Sequence, residues 1–192
     1  MPTTQTKILS ADEFYEWATR SENQGKVYEL DEGELVEMPP PGELHGVVCW
    51  LIVYLLSKYV FDRGKGHVCT NDTGLLVKRR PGTVRGPDIM LFDENRPLKK
   101  MSRKFVDRIP KLIVEVLSPR DKLTQVNRRI SQFLKRGVPL VWLVDPEEQA
   151  VTVYRPGQAH YVVRGTEEIT GEDVLPGLRF RVADFFALPG QS

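Results

Sequence analysis

Only two cysteines and three histidines occur in the 192 residues. Two thiols are too few for a disulfide-stapled scaffold. Cys49 sits in an apolar run and Cys69 in a β-rich stretch, so both are expected in the core rather than in a bridge. His45, His67 and His160 are scattered and show no zinc-ligand spacing. Long hydrophobic runs are also missing. The longest, Val47 to Leu56, falls short of the roughly 20 residues that cross a bilayer, so no membrane partner is expected. The opening MPTTQTKILSADEF has neither the apolar core nor the cleavage site of a secretory signal, and a cytoplasmic location is expected. There is no internal repeat, low-complexity tract, linker or zinc-finger-like reading module. At this length a single domain spanning 1–192 is expected.

An excess charge of one sign is nearly absent overall, at +1, but its distribution is uneven. Residues 1–77 carry 6 Lys/Arg against 12 Asp/Glu, residues 78–136 carry 17 against 6, and residues 137–192 carry 4 against 8. A middle third this basic fits a surface for a polyanion such as DNA, because clustered cations make the phosphate-binding footprint. The other reading is a solvated charge run that binds nothing.

Otherwise the composition is that of a globular protein, 41% hydrophobic and 28% charged. Ser10-Ala-Asp-Glu13 is a capping box and predicts a short helix. Residues 27–30 and 34–38 flank Asp31-Glu-Gly33 and read as a hairpin. Residues 43–61 are apolar nearly all round, which predicts a buried central helix ended by Gly64 and Gly66. Strands are expected at 67–70, 73–78, 84–92 and 111–117, with an exposed basic loop over 93–110. A second long helix is expected over 122–136, with Gly137 as its stop. Strands at 138–144 and 151–154 surround a turn at Asp145-Pro146. Another strand lies near 160–164, before a short amphipathic end at 182–188. Trp17, Trp50 and Trp142 sit in apolar patterns and read as core.

Two acids stand out. Gly86-Pro-Asp88-Ile-Met-Leu91 sets a carboxylate at the entrance of an apolar strand, and Lys111-Leu-Ile-Val-Glu115-Val sets another inside one. An ionised Glu in such a run costs several kcal/mol to bury, so it must be paired, protonated or bound to a cation. If the strands are neighbours, Asp88 and Glu115 can meet around one hard divalent ion, Mg²⁺ or Mn²⁺. Taken singly, Asp88 could be a turn residue and Glu115 could pair with a buried arginine.

Several phrases occur together in a set order: Tyr28-Glu-Leu, Gly33-Glu-Leu, Pro40, His45, Pro87-Asp88, Glu115-Val-Leu-Ser-Pro119, Gly137-Val-Pro, Trp142-Leu-Val-Asp-Pro146 and Leu175-Pro-Gly-Leu178. In this the chain resembles the Uma-two family of restriction-endonuclease type, within the PD-(D/E)XK nuclease superfamily. The resemblance implies an α/β fold, a restriction-endonuclease-like mixed β-sheet flanked by helices with additional hairpins. It also implies metal-dependent cleavage of DNA phosphodiester bonds. By resemblance Asp88 and Glu115 are the metal ligands, Glu29 is a further acid from the N-terminal region, and His45 is a recurrent histidine of open role. A homodimer follows only from the way such nucleases cut two strands.

One departure matters. The lysine expected two residues after the second acid is Leu117. Relatives of this type move the cation to the following helix, and the equivalent position is Arg129. Lys122, Gln125, Arg129 and Arg136 form a stripe beside the apolar face of that helix, from which a side chain could overhang a strand-end site. Arginine could hold a phosphate but is too weak an acid to act as a base. Lys122 is the substitute candidate. The leading expectation is therefore a Mg²⁺- or Mn²⁺-dependent DNA endonuclease. The rival is a catalytically weakened nuclease fold that binds nucleic acid or a protein partner without cleavage. A glycosidase-type pair of acids lacks any further sugar-binding signal.

Overall fold

The computed structural model describes residues 8–23, 25–70 and 73–190. The chain forms two compact units, the first drawing on segments within 1–40, 72–86 and 102–108, the second on 41–71, 87–101 and 109–192.

The first unit begins with α1 (Ala11–Ala18), whose capping box is formed as expected: Ser10 Oγ accepts from Glu13 N, and Glu13 accepts from Ser10 N at 2.8 Å. Strands β1 (Val27–Asp31) and β2 (Glu34–Met38) make the hairpin. Its two turn residues, Glu32 and Gly33, both have positive φ, 49° and 93°, the conformation that matches the twist of flanking strands. With β4 (Leu75–Lys78) and β5 (Thr83–Arg85) these strands build an antiparallel sheet of order β2-β1-β5-β4. Phe14 stacks on Phe105 with ring centroids 5.6 Å apart, and Ala11, Phe14, Leu30, Leu76 and Val84 are the buried centre.

The second unit carries a six-stranded mixed sheet of order β10-β9-β8-β7-β6-β3. Its strands are β3 (His67–Cys69), β6 (Ile89–Phe92), β7 (Leu112–Val116), β8 (Val141–Asp145), β9 (Ala150–Tyr154) and β10 (Tyr161–Arg164). All neighbours are antiparallel except β7 and β8, which are parallel and joined through α3 (Leu123–Arg136). A parallel pair needs such a crossover, which is why the amphipathic helix lies between two nearly all-apolar strands. Gly137 ends α3 at φ 103°. A small pair, β11 (Glu168–Thr170) and β12 (Arg179–Arg181), completes the unit and was not read from the sequence.

Helix α2 (Glu43–Arg63) packs Val48, Ile52, Leu56 and Tyr59 against Ile89, Leu91, Leu112, Val114, Val116 and Trp142. At its C-terminal end Arg63 donates to Asp93 at 2.8 Å and to the Tyr59 hydroxyl at 2.6 Å, while Lys65 reaches Asp93 at 2.9 Å. Cations at this end also suit the helix dipole.

Three sequence readings change. The expected strand 84–92 is two strands, β5 and β6, in different units, because Gly86-Pro87 removes one ladder donor and breaks the run. Helix α2 is not buried all round: Trp50, Tyr54 and Phe61 are 52%, 59% and 82% exposed, so Trp50 is a surface residue while Trp142 is fully enclosed. By length and hydropathy alone α2 could span a bilayer, a property it shares with core helices of its kind. Cys49 and Cys69 are half-buried and outside any disulfide, and Cys49 packs against the edge of the core rather than within it.

Candidate active site

The second unit brings Asp88 and Glu115 to the same end of neighbouring strands. In the β6–β7 ladder Ile89 pairs with Val114 and Met90 with Ile113. Asp88 directly precedes β6, one register step beyond the Ile89–Val114 pair, and so lies at the end of β7 that carries Glu115. Alternation along β7 sends Leu112, Val114 and Val116 to the α2 side, so Ile113 and Glu115 point the other way.

Each carboxylate is held. Asp88 Oδ2 accepts from the Val116 backbone N–H at 2.7 Å, and its Oδ1 lies 3.3 Å from His45 Nε2. Glu115 is only 8% exposed, and Arg129 Nη2 lies 2.9 Å from Oε2 and 3.2 Å from Oε1. The helical phase read from the sequence therefore does carry Arg129 over the second acid. Arg129 itself is partly buried, held beside the apolar seam of Val126, Ile130 and Phe133. Lys122, the substitute candidate, is the exposed N-cap residue of α3. Leu117 follows β7 directly and donates its backbone N–H to Val144 O at 2.8 Å.

His45 lies in the first turn of α2, and its Nδ1 is 3.6 Å from Cys49 Sγ. This contact was missed in the sequence, where Cys49 read as core. The spacing of four residues along a helix was the available signal. A groove of about 350 Å³ opens beside His45, lined also by Gly42, Leu117, Ser118, Asp145 and Glu147. Asp145 is a turn residue, as expected: its Oδ1 accepts from the backbone of Glu147 and Glu148 at 3.0 and 3.2 Å.

Glu29 lies in the first unit, on β1, and is 3% exposed. Its Oε2 is 2.9 Å from Arg85 Nη1, its Oε1 accepts from Gly86 N at 2.8 Å, and Arg85 also bridges to Asp31 at 2.8 Å. Among the basic residues, Lys99 and Lys100 stand exposed on a single 3-10 turn, Leu98–Lys100, in the second unit.

Two carboxylates at one end of neighbouring strands are a hard-oxygen donor set of the kind Mg²⁺ or Mn²⁺ take, with water and substrate oxygens. Arg129 beside Glu115 offsets the charge of that acid.

No curated protein matches the chain. A crystal structure from Anabaena variabilis, described as a "putative nuclease belonging to DUF820", superimposes with a TM-score of 0.78 at 24% identity, covering 93% of this chain and 97% of that one. That likeness shows the fold, an α/β arrangement with a mixed sheet and helices. The Uma2 family, described as "Putative restriction endonuclease", matches residues 11–183, and the chain belongs to that family.

Proposed function

We propose that the protein is a metal-dependent DNA endonuclease that hydrolyses phosphodiester bonds at Asp88 and Glu115. The observation that supports the proposal is the β6–β7 pairing, with one acid just before β6 and the other at the matching end of β7 in a unit otherwise built from apolar strands. Membership of a family of nuclease description supports the reaction class.

Asp88 and Glu115 would hold the ion. When bound, it supplies the Lewis acidity that phosphodiester hydrolysis draws on. Asp88 is pre-oriented because one oxygen is pinned by Val116 N–H. Arg129 neutralises Glu115 and is positioned to share its guanidinium with a phosphate oxygen, stabilising the charge that grows there during attack. It does not serve as the base, since a guanidinium keeps its proton. Glu29, through Arg85 and Gly86, fixes the backbone two residues before Asp88 in the chain. Lys99 and Lys100 supply phosphate contacts that position the substrate without reading its sequence.

A second reading has its own support. Leu117 stands where the superfamily has lysine, and Glu115 is already neutralised by Arg129. Both favour a fold that binds nucleic acid without cutting it. Purified protein incubated with supercoiled, linear and single-stranded DNA separates the readings. The nuclease reading expects nicking with Mg²⁺ or Mn²⁺ and none with EDTA. Salt-sensitive binding with no cleavage of any DNA form would replace it with the second.

A further inference from the structure

Helix α2 presents a different kind of donor set to the same aspartate. His45 and Cys49, four residues apart, project together from its first turns. Sγ of Cys49 lies 3.6 Å from His45 Nδ1, and His45 Nε2 lies 3.3 Å from Asp88 Oδ1. One ligand atom from each of the three residues falls within 4.8 Å of the other two. All three side chains are partly buried, with those of His45 and Asp88 12% and 15% exposed, so the cluster is neither a solvated surface group nor sealed from an incoming ion.

We propose that His45, Cys49 and Asp88 bind a thiophilic divalent ion of the zinc class, and that this occupancy withdraws Asp88 from the hard-ion site it shares with Glu115. The donor set is one nitrogen, one sulfur and one oxygen. A thiolate selects zinc-like ions, whereas magnesium and manganese favour oxygen ligands. Zinc bonds to these atoms run about 2.0–2.3 Å, which puts tetrahedral ligands roughly 3.5 Å apart. From separations within 4.8 Å, closure needs movements of about 1 Å, within reach of a ring rotation and a thiol rotamer change. Asp88 contributes Oδ1 while Oδ2 stays anchored on Val116 N–H, the kind of outer support that orients a metal ligand. Three protein ligands leave one position open, the pattern of an exchangeable rather than a sealed zinc site.

The zinc-class site stands on this geometry alone, and only the exclusion rests on the function proposed above. The test is titration of the full chain with Co²⁺. The expected result is a thiolate-to-cobalt charge-transfer band that saturates at one equivalent, is bleached by Zn²⁺ and survives excess Mg²⁺. Cys49→Ser and Cys49→Ala should both lose the band, while Cys69→Ser and Glu115→Gln keep it. No band in the parent, or a band that survives both Cys49 substitutions, overturns the site. Mn²⁺ calorimetry in the presence of one equivalent of Zn²⁺ should show at least tenfold weaker Mn²⁺ binding. Unchanged Mn²⁺ affinity overturns the exclusion. A cobalt band in a protein that binds no Mn²⁺ supports the zinc-class site and counts against the Asp88/Glu115 reading instead.

Discussion

Removing Arg129 separates two roles that one guanidinium combines. Glu115 is 8% exposed and both its oxygens lie within 3.2 Å of Arg129 Nη2, so Arg129→Ala removes a close cation from a buried carboxylate. Breaking a buried pair commonly costs 3–5 kcal/mol, and side chains 11–14% exposed argue for the lower side, about 2–3 kcal/mol. In a chain of this length that is a fall in Tm of about 4–12 °C. Without metal, the loss should be seen by calorimetry or circular dichroism. Mn²⁺ should then repair it. A divalent ion at Glu115 replaces the missing cation, and a ligand at a hundred times its Kd stabilises by roughly 2.7 kcal/mol. The Mn²⁺-induced rise in Tm is therefore expected to be larger in Arg129→Ala than in the parent. Cleavage should still fall about a hundredfold, the usual cost of removing one electrostatic donor, and Arg129→Lys should keep a substantial part of the rate. Equal Mn²⁺ shifts in parent and variant would refute the idea that metal and arginine serve the same carboxylate. Full cleavage by Arg129→Ala would make Lys122 the cation to test.

Charge reversal of Lys99 and Lys100 to Glu should weaken DNA binding similarly across sequences and flatten its salt dependence by about one counterion per lost phosphate contact. An unchanged salt slope would make both lysines merely solvated. Asp93 offers a pH prediction: burial alone would raise its pKa, but Lys65 and Arg63 outweigh that and hold it below the usual carboxylate value. A depressed folded-state pKa gives stability that is present above the unfolded value, near 4, and lost as pH falls through the folded one. Asp93→Asn should thus lower stability by about 0.5–1 kcal/mol at neutral pH, a small figure because Lys65 is half exposed, with the gap to the parent closing in acid melts.

The local elements were legible because their signals are short-range. The Ser10–Glu13 capping box, the Asp31–Gly33 turn and the Gly137 stop each act through neighbours in the chain, and each forms where the sequence puts it. The apolar face of α3 was read from its period, and with it the reach of Arg129 toward Glu115. What the sequence hid depends on contacts between distant residues. The exposed side of α2 was hard to read because Trp50, Tyr54 and Phe61 are large, mostly hydrocarbon side chains like the Ile52 and Leu56 that face the sheet. The division of 84–92 between two sheets turns on which strands flank each half. His45 was noticed in the sequence without a role, and its grouping with Cys49 emerged only when Asp88, 39 positions beyond Cys49, arrived beside them. The pairing of Glu29 with Arg85 was equally invisible, because β1 and β5 are joined by hydrogen bonds and not by sequence.

The shared carboxylate site is tested most directly by Mn²⁺ calorimetry on the parent, Asp88→Asn and Glu115→Gln, each first shown to be folded. One ion should bind the parent, and each substitution, which removes charge but little volume, should weaken that binding at least tenfold. Unchanged Mn²⁺ affinity in both variants would contradict a metal site at Asp88 and Glu115.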